Sequence, residues 1–425
     1  MRVSKFFIWI FSVLCLYNTV FTYAPTNFYK PYDINFRMFE WENTRFKLGM
    51  NFEYGDTRSG KNGDEDKVGI LRLYNDSESA LTMLMGAKKG SEIYNLANNL
   101  IPAYSPATDD GIRGHIKFDG QYKDLDWTIW GKYKLPVETL PGNFDFYIYV
   151  PFRYMEIDDI KIYDQTKNVL SSDRDVKFYL TDNLKENVKR LGDLNLNSWK
   201  KFGISDIVFM LGWYKDYKQA KEHLKNVRIS FKLGLSVPSG SVKDEDEAFS
   251  LPLGNDGGWG IPLTAGLDLD FVKKFRAGLE FEMICFFDKT KEMRLKTDVN
   301  QTDYLFLHKG VATRSYGFYW KFNLYVQAKH FLGGLSAMVA YQFLKHDNDT
   351  LTAQSNDFSY NIINSAESLE EWGTQNFIFQ FNYDFFKSCK HSWFKPQLSI
   401  FAKLPVTGKR VMNAYTFGGQ FGLNF

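Results

Sequence analysis

Long apolar stretches are lacking in this chain of 425 residues. Beyond residue 24, no segment reaches the roughly 20 consecutive apolar residues that a membrane-spanning helix requires. An excess of charge of one sign is lacking as well, because 52 basic and 50 acidic side chains leave a formal net charge of +2. These two absences exclude a helical membrane protein and remove the electrostatic basis for binding nucleic acid.

Cysteine is also scarce, with Cys15, Cys285 and Cys389 as the 3 cysteines of the chain. Small exported domains that depend on disulfides carry several pairs of cysteines at regular spacings. A disulfide framework is therefore excluded, while a single bridge between Cys285 and Cys389 stays open.

Residue patterns that carry catalysis or bind metals are missing. None of the 6 histidines stands in an H-x-x-x-H spacing or beside a nucleophile elbow. A hydrolase would need a serine and a histidine brought together from distant parts of the chain. We therefore predict no enzymatic activity, no metal site and no cofactor. The histidines are His115, His223, His308, His330, His346 and His391.

Residues 1–24 have the layout of a secretory signal. Basic residues near the start precede an apolar run over 6–16, and small or polar residues follow up to Ala24. The mature chain is expected to begin near Pro25. This layout predicts export through the inner membrane.

What the chain has in abundance is aromatic side chains, 17% of all residues. In 415–425 almost every second residue is aromatic or aliphatic, and the residues between are small or polar. A period of two gives a strand one apolar face and one polar face. The same pattern recurs in 45–54, 225–237, 259–271, 276–288, 315–328 and 372–386.

These alternating segments are longer than ordinary soluble strands, which run about 5 to 6 residues. A tilted strand that crosses a membrane needs roughly 9 to 11 residues, with its apolar side toward lipid and its polar side toward the lumen. The alternating segments meet this length. The sequence therefore predicts an all-β protein, a single antiparallel transmembrane β-barrel over residues 45–425.

Connector lengths predict an orientation, because outer-membrane barrels have short periplasmic turns and long external loops. With the C-terminal Phe425 in the periplasm, the periplasmic connectors are 215–224, 272–275, 329–332 and 387–392. The external connectors are then 238–258, 289–314 and 347–371, which are long, and 406–414, which is moderate.

We predict about fourteen strands, and counts from twelve to sixteen stay open. The alternation is strong in the C-terminal half and weaker upstream. The segment 155–202 leaves room for one more hairpin, with strands at 157–163 and 175–180. The upstream strands are expected near 45–54, 68–74, 115–122, 126–135, 143–154 and 203–214.

Two connecting segments have apolar residues at helical spacing instead of strand spacing. They are 182–192 and 77–100, the second interrupted by Gly86 and Gly90. Segment 77–100 is interpreted as a plug inside the lumen, as a periplasmic helical insertion, or as a short helix in a loop. Residues 25–44, between the signal and the first strand, are assigned to an N-terminal periplasmic segment.

A set of charged side chains is predicted to face the lumen. Four carboxylates lie on the two arms of the hairpin that turns at 272–275, so strand pairing concentrates them. Opposed charges in a lumen either line a water-filled pathway for solutes or form ion pairs that fill and stiffen the interior. The predicted lumen residues are Arg228, Lys232, Asp268, Asp270, Glu280, Glu282, Lys321 and Asp384.

Two stretches resemble a known outer-membrane family. They read Gly203-Ile204-Ser205-Asp206-Ile207 and Leu233-Gly234-Leu235-Ser236-Val237-Pro238-Ser239-Gly240. On these residues the chain resembles, over 200–425, the family "MetA-pathway of phenol degradation", which is similar to the long-chain fatty-acid transporters. The resemblance implies a channel for small molecules, hydrophobic or aromatic ones among them.

The C-terminal strand resembles the signal that the barrel-assembly machinery reads. The residues that carry this resemblance are Tyr415, Phe417, Phe421, Leu423 and Phe425. The predicted function is an outer-membrane channel or diffusion transporter for small solutes. The alternative is a structural or adhesive barrel with a blocked lumen and surface-exposed loops. Either protein would contact outer-membrane lipid and lipopolysaccharide.

Overall fold

Twelve antiparallel strands close into a ring in the computed structural model of this protein. The structure describes residues 31–37, 44–101, 110–137, 139–271, 274–385 and 395–425. The predicted signal and Cys389 lie outside the described residues. In chain order the strands are β1 (Phe46–Thr57), β2 (His115–Leu135), β3 (Asn143–Asp164), β4 (Ile207–Lys218), β5 (Leu224–Val237), β6 (Gly260–Phe271), β7 (Phe275–Phe286), β8 (Tyr319–Leu332), β9 (Leu335–His346), β10 (Trp372–Asp384), β11 (Lys395–Lys409) and β12 (Tyr415–Asn424).

The ring closes at β1, which is hydrogen-bonded on both sides. Lys47 of β1 lies opposite Asn424 of β12 and opposite Lys132 of β2. Every other strand pairs with the strand before it and the strand after it in the chain. Closure removes free edges from the wall, so the strands do not need to pair with another chain.

The period of two sorts side chains between the two faces of the wall. In β1, Leu48, Met50 and Phe52 are exposed on the outer face, whereas Lys47 and Asn51 are buried. A soluble protein has the opposite distribution, because its apolar side chains are inside. The wall therefore suits apolar surroundings and encloses a polar interior.

The complete sheet contains fourteen strands, and two of them lie outside the ring. These two are Glu78–Ser79, which pairs with β2, and Trp199–Ile204, which pairs with β3. The predicted number of strands, fourteen, equals the number in this sheet. The barrel itself has twelve strands, the lowest number in the predicted range.

Two upstream strand predictions are wrong. Segments 115–122 and 126–135 form one continuous strand, because residues 123–125 contain neither glycine nor proline and stay paired with β1. Segment 68–74 is not a strand of the wall. Only Lys67–Gly69 is extended there, and it pairs with Ser59–Lys61 in a small separate sheet.

The additional hairpin expected within 155–202 is absent. Residues 157–163 form the end of β3, and 175–180 lie in the helical turns Ser171–Val176 and Lys177–Thr181. Val176 and Leu180 are four residues apart and both buried, which is helical spacing, so this segment turns instead of extending.

Long and short connectors alternate around the ring, as the sequence predicts. A tight connection joins β8 to β9 through Gly333, whose φ of 59° lies in the left-handed region that favours glycine. We refer to the end with the short connectors, where Phe425 lies, as the turn end and to the opposite end as the loop end. The connectors at the loop end are 58–114, 165–206, 238–259, 287–318, 347–371 and the short 410–414.

The connectors at the loop end pack into a structured layer that we name the loop cap. Its largest apolar cluster joins Leu71 and Leu84 with Val188, Phe249 and Leu305, which come from four connectors. No helix in the described part of the chain is long and apolar enough to cross a membrane. The remaining elements of the cap are Thr82–Leu84, Glu92–Leu100, Leu184–Gly192, Lys289–Arg294, Asp303–Leu305, Lys309–Ser315, Thr350–Ala353, Tyr360–Ile363, Glu367–Leu369 and Val411–Met412.

Segment 77–100 belongs to the loop cap. Its helix Glu92–Leu100 begins where the Ser91 hydroxyl accepts a hydrogen bond from the Tyr94 amide at 3.1 Å. The buried side of this helix packs into the apolar cluster of the cap, which a polar lumen could not offer. The structure thus has a short helix in a connector at the loop end, and whether the segment acts as a plug, as a periplasmic insertion or as a helix in a loop stays a prediction. The helix predicted at 182–192 is also present.

Candidate functional site

The N-terminal segment 31–37 lies inside the barrel. It contains the 3₁₀ turn Ile34–Phe36, capped by Asp33, whose carboxylate accepts a hydrogen bond from the first amide of the turn at 2.8 Å. All residues of the turn are buried. The assignment of 25–44 to the periplasm is wrong for these residues, because their charged and aromatic side chains find partners on the inner wall.

Asp33 bridges two lysines on different strands of the wall. The Nζ atoms of Lys321 on β8 and Lys403 on β11 lie 2.9 Å and 3.3 Å from its carboxylate oxygens. Gln342 of β9 donates a further hydrogen bond to the same carboxylate at 2.8 Å. One negative charge of the segment is therefore shared by three strands.

Arg37 holds the other end of the segment. Its guanidinium donates to Asp268 at 2.6 Å and to Glu280 at 2.5 Å, and its Nε lies 3.1 Å from the hydroxyl of Tyr325. Such charge-assisted hydrogen bonds are among the strongest in proteins. Gly266 leaves the space for this group, since a Cβ added there would be 2.9 Å from the guanidinium.

Aromatic contacts fix the segment between its two charges. The ring of Phe36 meets Trp130 of β2 and Tyr149 of β3 edge-on, with centroids 5.8 Å and 5.6 Å apart. Tyr32 packs against the same Tyr149 at 5.2 Å. On the other side, Ile34 belongs to an apolar cluster on β8, β9 and β10. The segment thus contacts most of the circumference of the wall.

The segment divides the lumen into two cavities. The larger, which we name the lumen cavity, has a volume of about 960 Å³ and is lined by Asp33 together with Glu53, Tyr122 and Lys403. A smaller cavity of about 360 Å³ lies against Arg37 on the other side. Residues of the segment 31–37 therefore line both of these cavities.

Two further cavities continue from the lumen cavity into the loop cap. A cavity of about 430 Å³, the bridging cavity, shares Trp372 with the lumen cavity. It also shares Tyr74, Arg314 and Ser368 with a cavity of about 1080 Å³ inside the loop cap, the loop cavity. The bridging cavity therefore lies beside both of the other cavities.

The structure brings part of the predicted lumen charges together at the N-terminal segment. Asp268 and Glu280 meet at Arg37, as described above. Lys321 lies between Asp33 and Glu282, whose carboxylate is 3.6 Å from its Nζ. These four predicted residues are buried and belong to one ion-pair network with the segment.

The other predicted lumen charges have separate partners. Arg228 forms a bidentate pair with Asp216 at 2.8 Å and 2.7 Å. Asp270 accepts from Arg276 at 2.7 Å and from Lys329 at 2.6 Å near the turn end. The Nζ of Lys232 lies 4.9 Å from the ring centroid of Tyr147. A carboxylate oxygen of Asp384 lies 3.4 Å from the Nε2 of His330.

Sequence reasoning missed four charged residues of this network. Glu53 and Lys403 form an ion pair at 2.7 Å. Both lie on strands in which apolar and polar residues alternate, so the period of two could have placed them on the inner face. Asp33 and Arg37 belong to no strand. For these two the sequence carries no periodic signal, because only the folded wall creates their surroundings.

The residues of the predicted assembly signal lie on the outer face of β12 and just beyond it. Tyr415, Phe417 and Phe421 are exposed, Leu423 is half-buried, and Phe425 is exposed at the turn end. The amide of Phe425 donates to the carbonyl of Phe46 at 3.0 Å, and the two rings are 5.9 Å apart.

Glu78 is a buried carboxyl group in the loop cap. One of its oxygens accepts from the Tyr304 amide at 3.1 Å, and the other has no hydrogen-bond partner. Burial raises the pKa of Glu78 to about 8, with a further contribution from the nearby charge of Asp303. The group is therefore largely protonated at neutral pH and links connector 58–114 to connector 287–318.

One serine and histidine pair is present in the loop cap. The Oγ of Ser77 lies 2.8 Å from the Nδ1 of His115. Neither side chain lines the lumen, bridging or loop cavity. The pair is thus placed away from the spaces that could hold a substrate.

No protein-family model matches the chain, and no curated protein matches it in sequence. The resemblance to the family "MetA-pathway of phenol degradation" therefore stays a prediction. Similarity is found among solved structures. An outer-membrane channel from Pseudomonas putida F1 is 12% identical with a TM-score of 0.51, and the match covers 90% of this chain and 97% of that chain.

More distant similarities are to the toluene transporter TodX from Pseudomonas putida and the transport unit of the autotransporter AIDA-I from Escherichia coli. TodX is 9% identical over 96% of both chains, with a TM-score of 0.34. The autotransporter unit is 8% identical over 93% of this chain and 92% of that chain, also with a TM-score of 0.34. At these values only the Pseudomonas putida F1 channel supports the fold, a closed β-barrel like that of an outer-membrane channel.

Proposed function

We propose that this protein is an outer-membrane channel through which small solutes diffuse from the loop cap to the N-terminal segment and past it. The observation that carries the proposal is the series of loop, bridging and lumen cavities, which ends on residues 31–37. The apolar outer face would contact outer-membrane lipid, with the loop cap beside lipopolysaccharide.

The lining of the lumen cavity fits small solutes with both polar and aromatic character. Aromatic rings of Tyr122, Tyr319 and Trp372 share this cavity with the charges of Asp124 and Lys403. Asp124 is held by Arg153 at 2.6 Å, and Lys403 by Glu53, so the charges are paired. Paired charges bind water and polar groups without holding an ion strongly, which suits passage over retention.

The test is electrical recording and solute flux with refolded protein in planar bilayers and liposomes. Wild type should give a small conductance and pass small aromatic solutes. Deletion of residues 31–37 should raise the conductance severalfold, because it removes the narrow part of the lumen. The control is deletion of 77–100, which lies in the loop cap and should change the conductance less. Absence of conductance and flux from wild type and from both deletions, with the barrel folded, would reject the channel.

A structural or adhesive barrel is the second candidate, favoured by the number of ion pairs that fix residues 31–37 across the lumen. A closed barrel of this kind would present its loop cap to other cells or molecules. The same recordings separate the two. If the wild type passes neither ions nor solutes while the 31–37 deletion conducts, the barrel is blocked in its native state.

A further inference from the structure

Lys296 is a buried lysine in the wall of the loop cavity. Its side chain and backbone together are 5% exposed. The Nζ atom donates one hydrogen bond, to the carbonyl of Ser365 at 3.0 Å. Within the described residues, no carboxylate lies within ion-pair distance of this Nζ. An ammonium group has three donors, so two remain for a partner that the chain does not supply.

Three of the four other cations of the loop cavity have acidic partners, and the fourth, Lys243, is half-buried. Lys291 lies 3.1 Å from Glu245 and 2.7 Å from Asp256, and Arg314 is bonded to Asp349. Burial of an ammonium without a counter-charge is costly, which is why buried charges in proteins are normally paired. Burial also lowers the pKa of Lys296. Lys296 therefore differs from these paired cations, because it is buried and has no carboxylate at ion-pair distance within the described residues. Its charge can therefore bind an anion.

The carboxylates of Asp303, Glu367 and Asp298 act on Lys296 from beyond ion-pair distance, and Asp303 is hydrogen-bonded to other groups. Its two carboxylate oxygens accept hydrogen bonds from Asn75 and from the amide of Ser368, each at 2.9 Å. Overall the cavity is lined by five basic and three acidic side chains.

Apolar walls face each other across the loop cavity. One wall consists of Leu71, Phe249 and Met412 from the largest cluster of the cap, and the opposite wall of Met293, Leu351 and Leu369 from a second cluster. A site with apolar walls and one spare cation suits a molecule with an apolar body and a single negative group.

We propose that the loop cavity is a capture site for small amphipathic carboxylates, with the carboxylate bound by Lys296 and the apolar body held between the two clusters. The proposal deepens the proposed function, on which its biological role rests, because the bridging cavity shares lining residues with both this site and the lumen cavity. It names the class of solute that the loop cap selects before the solute reaches residues 31–37.

The test compares 4-butylbenzoate with the uncharged 4-butylbenzamide, by titration calorimetry on the full mature chain in lipid nanodiscs. Wild type should bind the benzoate more tightly than the benzamide. Lys296→Met and Lys296→Gln should weaken benzoate binding by about tenfold or more, as expected for loss of a charged hydrogen bond, and leave benzamide binding unchanged. Lys67→Met is the control, since Lys67 is an exposed lysine outside the cavity.

Equal binding of the two compounds by wild type, or full benzoate binding by both Lys296 variants, overturns the proposal. Thermal unfolding of each variant shows whether it is folded, and both should be at least as stable as wild type because they remove an incompletely paired charge. The binding assay does not depend on flux. A protein that binds benzoate through Lys296 but does not conduct contradicts only the channel function, and a conducting protein without this binding contradicts only the capture site.

Discussion

Arg37 and Asp33 hold the N-terminal segment at its two ends, and both do so inside the barrel. The side chains of Arg37 and Asp268 are only 6% and 1% exposed. In such surroundings a charge that loses its partner cannot be solvated well, so the pair matters more than its attraction alone suggests. Arg37 therefore couples the stability of the barrel to the width of its lumen.

We predict that Arg37→Ala lowers the free energy of unfolding by about 3 to 5 kcal/mol, because it leaves buried carboxylates without a counter-charge. The measurement is equilibrium unfolding of the refolded protein in denaturant. The matched control is Arg58→Ala, whose partner Asp159 lies at 2.6 Å on the surface, with the side chains 59% and 39% exposed. Loss of this exposed pair should cost no more than about 1 kcal/mol. Equal effects of the two substitutions would contradict a buried network at Arg37.

The candidate site was predictable from sequence only where it stands on strands. The alternation predicts that Asp268, Glu280 and Lys321 face the lumen, because a strand fixes the direction of each side chain. It does not predict their partners. Arg37 reaches Glu280 across 243 residues of sequence, and nothing local in the chain encodes that contact.

At the scale of elements, the loop cap behaves as a folded layer and not as a set of free loops. Connectors 58–114 and 287–318 are joined by Glu78, whose uncharged form suits its burial. The Ser79 amide donates a further hydrogen bond to the hydroxyl oxygen of Thr302 at 3.1 Å. The contact between the two connectors should therefore respond to pH.

We predict that the loop cap loses stability as pH rises between about 4.5, the ordinary pKa of a glutamate, and about 8, the pKa of Glu78 in the fold. Over this interval the unfolded cap releases the proton and the folded cap keeps it, so rising pH favours unfolding by on the order of 5 kcal/mol. Limited proteolysis of the cap across this interval is the measurement. Glu78→Gln should remove most of the pH dependence, whereas Glu186→Gln, at an exposed glutamate of the cap, should not. Unchanged pH dependence in Glu78→Gln would contradict the shifted pKa.

Elements were predictable to different degrees for physical reasons. The C-terminal strands from β5 onward follow from the sequence because both the alternation and the connector lengths constrain them. The continuous strand β2 was divided in two because its end extends beyond the wall into the cap, where the apolar pattern changes. Segment 77–100 was assigned correctly as helical, but its location depends on Phe249 and Leu305, which belong to other connectors.

For the whole molecule, the seam between β1 and β12 is the contact that completes the ring. Thr44, just before β1, lies near Asn424 across 380 residues of sequence. The two ends of the barrel meet here only after all other strands are present. The exposed Phe425 is the last residue at this seam.

We predict that Phe425→Ala slows barrel assembly, because it removes the terminal aromatic group and its contact with the ring of Phe46. The measurement is the time course of folding into liposomes that contain purified barrel-assembly machinery, followed by the change in gel mobility of the folded barrel. The control is Phe417→Ala, which removes the same side chain from the outer face of the same strand. If both substitutions slow assembly equally, the terminal position has no special role.

The position of residues 31–37 also has a consequence for the order in which contacts form during folding. Asp33 contacts Gln342 across 309 residues, and Asn35 contacts Gln380 across 345 residues. Contacts between distant parts of a chain form slowly, because the loop between them must close first. The segment that precedes all twelve strands in the chain therefore acquires its native surroundings late, once the wall that holds it has formed.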